Sequence, residues 1–304
     1  MKRAALLLLG SLALAGCITP YPDLTQSRSP CRTEPGGWCD FVREAAAESY
    51  GYAMLSSNAY EDSDTYTRLP QQFVERVVAD NDGDGFAYSL FDEYALDEAG
   101  QRADIEARVI AFRGSEPGSP KDLIYGSLRS DQIERARVTY REVRAQMDAE
   151  GLQELPLITT GHSLGGALAT QISIENPGVK AYIFNPSPFY SGDPMAGDTD
   201  RISISERGEF LRVLRRYRAP PAAETLVINC GPGSSASDKH SIRKLADCLT
   251  WIAAYDAASG AADLLADNGI IKPPAECGLA VKVHPAISNQ DETPCIHQVP
   301  ARPE

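Results

Sequence analysis

The sequence predicts an α/β fold, with a mainly parallel sheet flanked by helices. Three observations carry that expectation. From residue 86 onward, short runs of β-forming apolar residues alternate with helical stretches, the pattern of a sheet covered by helices. One run, Ala107–Phe112 (ARVIAF), is compact and apolar enough for a buried strand. A second, Leu157–Thr160, passes through Gly161-His162-Ser163-Leu164-Gly165 directly into a helical stretch, so strand, sharp turn and helix follow without a loop. No GxGxxG accompanies the alternation, so the dinucleotide-binding version of this architecture is not indicated.

In chain order, the first element is a leader. Met1-Lys2-Arg3 is positive and Ala4 to Gly16 is almost wholly apolar. That run is too short to cross a bilayer as a mature helix, which needs about 20 residues, and residues 1–16 read as a signal peptide. Leu14-Ala15-Gly16-Cys17 resembles the lipobox of bacterial lipoproteins. The resemblance implies cleavage before Cys17 and acylation of that cysteine, palmitate included, since several acyl chains anchor where one binds only marginally. Ile18 follows in place of an inner-membrane retention aspartate, which points to the outer membrane of a two-membraned cell envelope. Residues 17–37, rich in Pro, Ser, Thr and Gly, read as the lipidated cysteine and its tether, and 38–304 as the folded domain.

Within that domain a helix is expected over 38–57, a loop over 58–70 and a short element at 73–78. Asp80-Asn81-Asp82-Gly83-Asp84-Gly85 resembles the start of a calcium loop. Counted from Asp80 the twelfth position is Phe91; counted from Asp82 it is Glu93, but Phe86 then sits where an oxygen ligand is needed. An acidic turn is the better reading, and no metal is expected. Strands follow at Phe86–Tyr94 and Ala107–Phe112, then a helix at Gln132–Met147, a strand at Leu155–Thr160, a helix at Leu164–Glu175, strands at Val179–Phe184 and Arg201–Ser205, and a helix at Ile242–Ala258. From about residue 261 the periodicity weakens, and the chain reads as a disulfide-held C-terminal extension.

Seven cysteines occur. Without Cys17, six remain, an even number that suits disulfides in an exported chain. Sequence neighbours are the economical pairs: Cys31 with Cys39, Cys230 with Cys248, Cys277 with Cys295. The formal charge is -13, nearer -15 once the leader's Lys2 and Arg3 are gone. Such a surface repels nucleic acid rather than neutralising it, and leaves attachment to the membrane to the acyl anchor.

The chemistry centres on Ser163. Glycines at 161 and 165 let a strand and a helix approach around a strained turn, with the serine hydroxyl at its apex and the helix's free amides beside it. A helix-capping role is the plain alternative. His162 adjoins the serine, yet adjacency in a sharp turn does not bring an imidazole to the hydroxyl. The later histidines are His240, His284 and His297; His240 lies between a Gly/Ser-rich loop and a helix, where a loop can present a base to the sheet's end. The acid is expected just after the strand Arg201–Ser205, where Glu206 and Glu209 compete. Asp193, Asp198 and Asp200 precede that strand, and Asp238 is nearly fused to the histidine segment.

These segments resemble the class 3 lipase family of alpha/beta-hydrolases over roughly residues 40–258. The resemblance lies in Val109 to Ser115, Asp122 to Leu128, Thr160 to Ala167, Phe184-Asn185-Pro186-Ser187-Pro188 and His240-Ser241-Ile242. It implies that Ser163 is the nucleophile and His240 the base, and that the backbone amides of Ser115 and Leu164 form the oxyanion hole. The family's aspartate precedes a hydrophobic pair, which Glu209-Phe210-Leu211 matches, so Glu209 is favoured and Glu206 is the alternative. Arg113 is expected to hold structure. The implied activity is hydrolysis of carboxylic acyl esters, as a lipase, phospholipase or esterase, on a lipid or small ester substrate without metal or cofactor. The other reading is a noncatalytic envelope lipoprotein that uses the scaffold for binding. A lid would fall in 117–130 or 188–200.

Overall fold

Alternating side chains on the parallel strands reach two separate cores, which is why those strands read as unbroken apolar runs. The computed structural model of the chain describes residues 31, 34–60, 65–79, 85–114, 130–215, 220–256, 259–275 and 296–298. One eight-stranded sheet runs in sequence order: β1 (Phe73–Ala79), β2 (Tyr88–Leu96), β3 (Arg102–Phe112), β4 (Leu157–His162), β5 (Ala181–Phe184), β6 (Arg201–Glu206), β7 (Glu224–Ile228) and β8 (Ile296–Gln298). β1 to β3 pair antiparallel, β3 to β7 run parallel, and β8 closes the edge antiparallel to β7. The α/β class expected from the sequence is the class observed.

On one face, α1 (Asp40–Asn58) packs against α5 (Ile242–Ala253); on the other, α2 (Ser130–Ala149) packs against α3 (Leu164–Glu175), and the single turn α4 (Arg212–Arg215) follows β6. Val109 and Ala111 of β3 join the first core, Ile110 and Phe112 the second. Tyr182 and Phe184 of β5 divide from Ala181 and Ile183 in the same way. This is the two-residue period of a strand covered on both sides, and each large apolar side chain so buried contributes about 2 kcal/mol.

Several boundaries differ from the sequence expectation for identifiable reasons. β3 begins five residues early, at Arg102, because its first half is exposed and polar and carries no burial signal. β7 was not expected at all: Glu224-Thr225-Leu226-Val227-Ile228 is short and its first two residues are only half-buried. α5 stops at Ala253 instead of Ala258, where the Ser259 hydroxyl donates to the carbonyls of Ala253 and Asp256 at 2.8 Å each. A further short helix, α6 (Ala261–Asp267), follows Gly260, whose φ of 69° is cheap only for glycine. It anchors the start of the extension through buried Ala261 and Leu264, and β8 returns the chain to the sheet with Ile296 opposite Val227.

Disulfides Cys31–Cys39 and Cys230–Cys248 form as the cysteine spacing predicts. The expected Cys277–Cys295 pair, the leader with Cys17, most of the tether and the acidic turn at 80–84 lie outside the described residues. An ionic cluster centred on buried Arg108 and Asp92 braces the antiparallel half of the sheet. Arg108, wholly buried, donates to Asp92 across β2 and β3 (2.8 Å) and to Glu150 just beyond α2 (2.7 Å).

The carboxyl ends of the parallel strands share one edge. Ser163 follows β4, Asn185 follows β5, Glu209 lies three residues beyond β6, and the loop after β7 leads to His240. Open α/β sheets bind ligands outside this edge.

Candidate active site

The turn at Ser163 is built by backbone contact. A Cβ on Gly165 would stand 2.0 Å from the Phe112 carbonyl oxygen, and one on Gly161 would stand 2.4 Å from the Gly165 backbone, so both positions require glycine. Ser163 itself takes φ 58° and ψ −120°, a strained conformation for a residue with a side chain. Three backbone bonds impose it: Ser163 N–H donates to Phe184 O (3.1 Å), and Ser163 O accepts from Ser187 (2.9 Å) and Ala167 (3.2 Å). The hydroxyl makes no capping bond to α3. It lies 3.0 Å from His240 Nε2 instead, which removes the helix-capping reading.

His240 ends a single 3-10 turn, Asp238–His240, and Ser241 then caps α5 by accepting from Lys244 N–H at 3.3 Å. Its Nδ1 lies 2.9 Å from Glu209 Oε2. A carboxylate only accepts, so Nδ1 carries the proton and Nε2 is free to accept from the Ser163 hydroxyl. The Phe210 ring packs 4.5 Å from the imidazole, centre to centre.

Glu209 is almost fully buried. Oε2 also accepts from Leu211 N–H (2.9 Å), and Oε1 pairs with Arg215. Arg215 in turn donates to Pro186 O (2.6 Å) and Ser205 Oγ (3.2 Å). Burial pushes this carboxyl up, but Arg215, the bond and charge of His240 and the Leu211 amide outweigh it and hold the group below its ordinary value. Glu209 is therefore ionised at neutral pH.

Glu206 has other partners. Its Oε2 accepts from Cys230 N–H (2.7 Å), its Oε1 accepts from Gly231 N–H (3.1 Å), and Lys239 Nζ stands 3.7 Å away. Burial pushes it up to about 7 against the pull of those amides and of Lys239. It ties the end of β6 to the disulfide-bearing loop after β7. Of the two candidate acids, the structure brings only Glu209 to the histidine.

Leu164 begins α3, so its amide belongs to the first turn, whose donors have no partner within the helix. Ser115 lies outside the described residues. The described chain stops at Gly114, where an added Cβ would stand 3.1 Å from Ser163 Cβ and 2.3 Å from the Tyr60 hydroxyl. The strand end thus passes directly against the serine. Arg113 is buried next to it. Among the other histidines, His297 sits in β8 at the sheet edge, and His284 lies outside the described residues.

Sequence reasoning passed over three side chains that hold the site. Asn185 adopts φ 41°, which asparagine tolerates better than most residues. Its Oδ1 accepts from Glu206 N–H (2.8 Å), while its Nδ2 donates to Lys239 O (3.3 Å). Its position at the end of an apolar strand was the available signal. Arg215 carried none, being one of several arginines in Arg212–Arg218. Tyr60 falls in a stretch read as a loop, yet its hydroxyl reaches His162. Of the two segments considered for a lid, 117–130 lies outside the described residues apart from its last residue, Ser130. The other, 188–200, is fastened by buried Arg201, which donates to Pro194 O (2.6 Å) and Ala196 O (3.0 Å).

No family model and no curated protein matches the chain. Among solved structures it is similar to the Rhizomucor miehei lipase–propeptide complex: 15% identity, 61% of this chain and 68% of that chain, TM-score 0.37. For lipase II from Rhizopus niveus the identity is 11%, the coverage 63% and 82%, and the TM-score 0.44. For a triacylglycerol lipase from Penicillium expansum the values are 14%, 62% and 81%, and 0.41. The chemistry available is set by the site's own atoms. These are a strained serine hydroxyl, an imidazole oriented to receive its proton, and an ionised carboxylate behind that imidazole.

Proposed function

We propose that this protein is a serine hydrolase that cleaves carboxylic acyl esters through an acyl-serine intermediate, with Ser163 as nucleophile, His240 as base and Glu209 as acid. The observation that carries this is the unbroken chain from Ser163 Oγ to His240 Nε2 (3.0 Å) and from His240 Nδ1 to Glu209 Oε2 (2.9 Å). His240 accepts the serine proton as Oγ attacks the ester carbonyl, and Glu209 stabilises the imidazolium. The amides of Leu164 and Ser115 receive the oxyanion; a single such donor is worth about 10²–10³ in turnover. The imidazolium then protonates the departing alcohol, and water releases the acid by the same steps in reverse.

The substrate class is a lipid or small acyl ester met at the cell envelope, where acylated Cys17 tethers the domain. The lipobox-like Leu14-Ala15-Gly16-Cys17 and the likeness of Thr160 to Ala167 to the class 3 lipases support that reading. Protein lacking residues 1–16 is to be assayed on acyl esters of graded chain length and on phospholipid vesicles beside Ser163→Ala. Loss of turnover in the variant supports the assignment, and equal hydrolysis by both proteins overturns it. Labelled palmitate entering the full-length chain, but not Cys17→Ser, tests the anchor.

A further inference from the structure

We propose that His162, its tautomer set by the His240 carbonyl and its ring held by Tyr60, is the positioning residue of the general base, an inference that rests on the hydrolase reading above. His162 precedes the nucleophile, but both its ring nitrogens are engaged elsewhere. Its Nε2 lies 2.7 Å from the backbone carbonyl of His240, and its Nδ1 lies 2.8 Å from the Tyr60 hydroxyl. A carbonyl oxygen only accepts, so Nε2 carries the proton. In a neutral ring Nδ1 is then an acceptor, and the Tyr60 O–H is its donor.

The ring is neutral for a physical reason. Burial first, then the charge His240 carries when protonated and the charge of Arg215, hold it well below the ordinary histidine value. This matters because the two imidazoles stand 4.6 Å apart, centre to centre, and His240 becomes cationic in every turnover. A second cation at that distance would oppose the step, whereas a neutral N–H donor holds the backbone without the repulsion.

The bond also has a companion. Asn185 Nδ2 donates to Lys239 O (3.3 Å). Two consecutive carbonyls of the histidine turn are thus captured by buried side chains from the ends of β4 and β5. His162 connects nucleophile and base through one residue, since the chain entering Ser163 is the chain that fixes the backbone of His240. A shift of the imidazole by about 1 Å is enough to cost up to about 100-fold in rate.

Glutamine can present an N–H near the position of histidine Nε2, whereas asparagine falls short of it. His162→Asn is expected to lower kcat about 10- to 100-fold with KM within about twofold. His162→Gln is expected to recover most of that loss at a similar Tm. Tyr60→Phe, which removes one oxygen, is expected to lower kcat severalfold and serves if neither His162 variant folds. Equal kcat for the Asn and Gln variants, a loss confined to KM, or an unchanged kcat in Tyr60→Phe would each overturn the proposal. Ser163→Ala in the same assay separates the two failures. A fully active Ser163→Ala sinks the hydrolase reading, while an inactive Ser163→Ala beside an unaffected His162→Asn sinks only the positioning role.

Discussion

The two halves of the site are made in different ways. On the Ser163 side, the turn from β4 into α3 is shaped by main chain, with two glycines where a Cβ would clash with other backbone and three main-chain bonds fixing a strained serine. On the other side, Glu209 and His240 sit on loops after β6 and β7, and side chains fix them. Arg215 grips Glu209, Glu206 grips the amides of Cys230 and Gly231, and Asn185 and His162 grip consecutive carbonyls. The Cys230–Cys248 bond, which spans 18 residues, closes the loop that contains His240. The backbone-built half leaves a local mark in the sequence, glycines at fixed offsets from Ser163, whereas the side-chain-built half draws on positions scattered along the chain.

Changes on the two sides should therefore fail differently. The largest effect is expected from Gly165→Ala. Its Cβ would run into the backbone of Phe112 and Arg113, and we expect a loss of more than about 4 kcal/mol, read as unfolding at lower denaturant or as absence of soluble protein. A variant that is stable and active would show that the elbow has slack.

On the other side, Glu209→Gln should fold and still lose about 10³–10⁴-fold in kcat, because the imidazole loses its ionised partner. Glu206→Gln should keep activity within about tenfold, since Glu206 touches loop amides rather than the imidazole. A greater loss at Glu206 would reverse the two roles.

Removing either disulfide should cost a similar stability, about 2–3 kcal/mol. Only the Cys230→Ser/Cys248→Ser pair should also lower kcat, because that bond closes the segment containing His240 and the Cys31–Cys39 bond does not. Equal activity in both double variants would remove the distinction between the halves.

The smallest effect is on pH dependence. Glu206 ordinarily titrates at 4.5 and is pushed up to about 7 here. A raised carboxyl binds its proton more tightly in the folded state, so its contribution is full below 4.5 and is lost as pH rises through about 7. Denaturation midpoints across that window should slope downward with rising pH, and Glu206→Gln should flatten the slope.

The same contrast explains what could be read from the sequence. ARVIAF and the elbow were legible because burial on both faces, or glycine at fixed offsets, leaves a contiguous mark. The exposed half of β3 and the half-buried β7 leave no such mark. Glu206 and Glu209 could not be separated by spacing, because the difference lies in an amide at Cys230, 24 residues further on, and in Arg215. His162 was legible as a residue with a local role but not as the support of a histidine 78 residues away.

The central claim is that Ser163 is an activated nucleophile, and its reaction with a fluorophosphonate tests this most directly. One adduct by intact mass, mapped to Ser163, is expected, forming far more slowly in His240→Ala and Glu209→Gln. No adduct at Ser163, or labelling at an unchanged rate without His240, would contradict it.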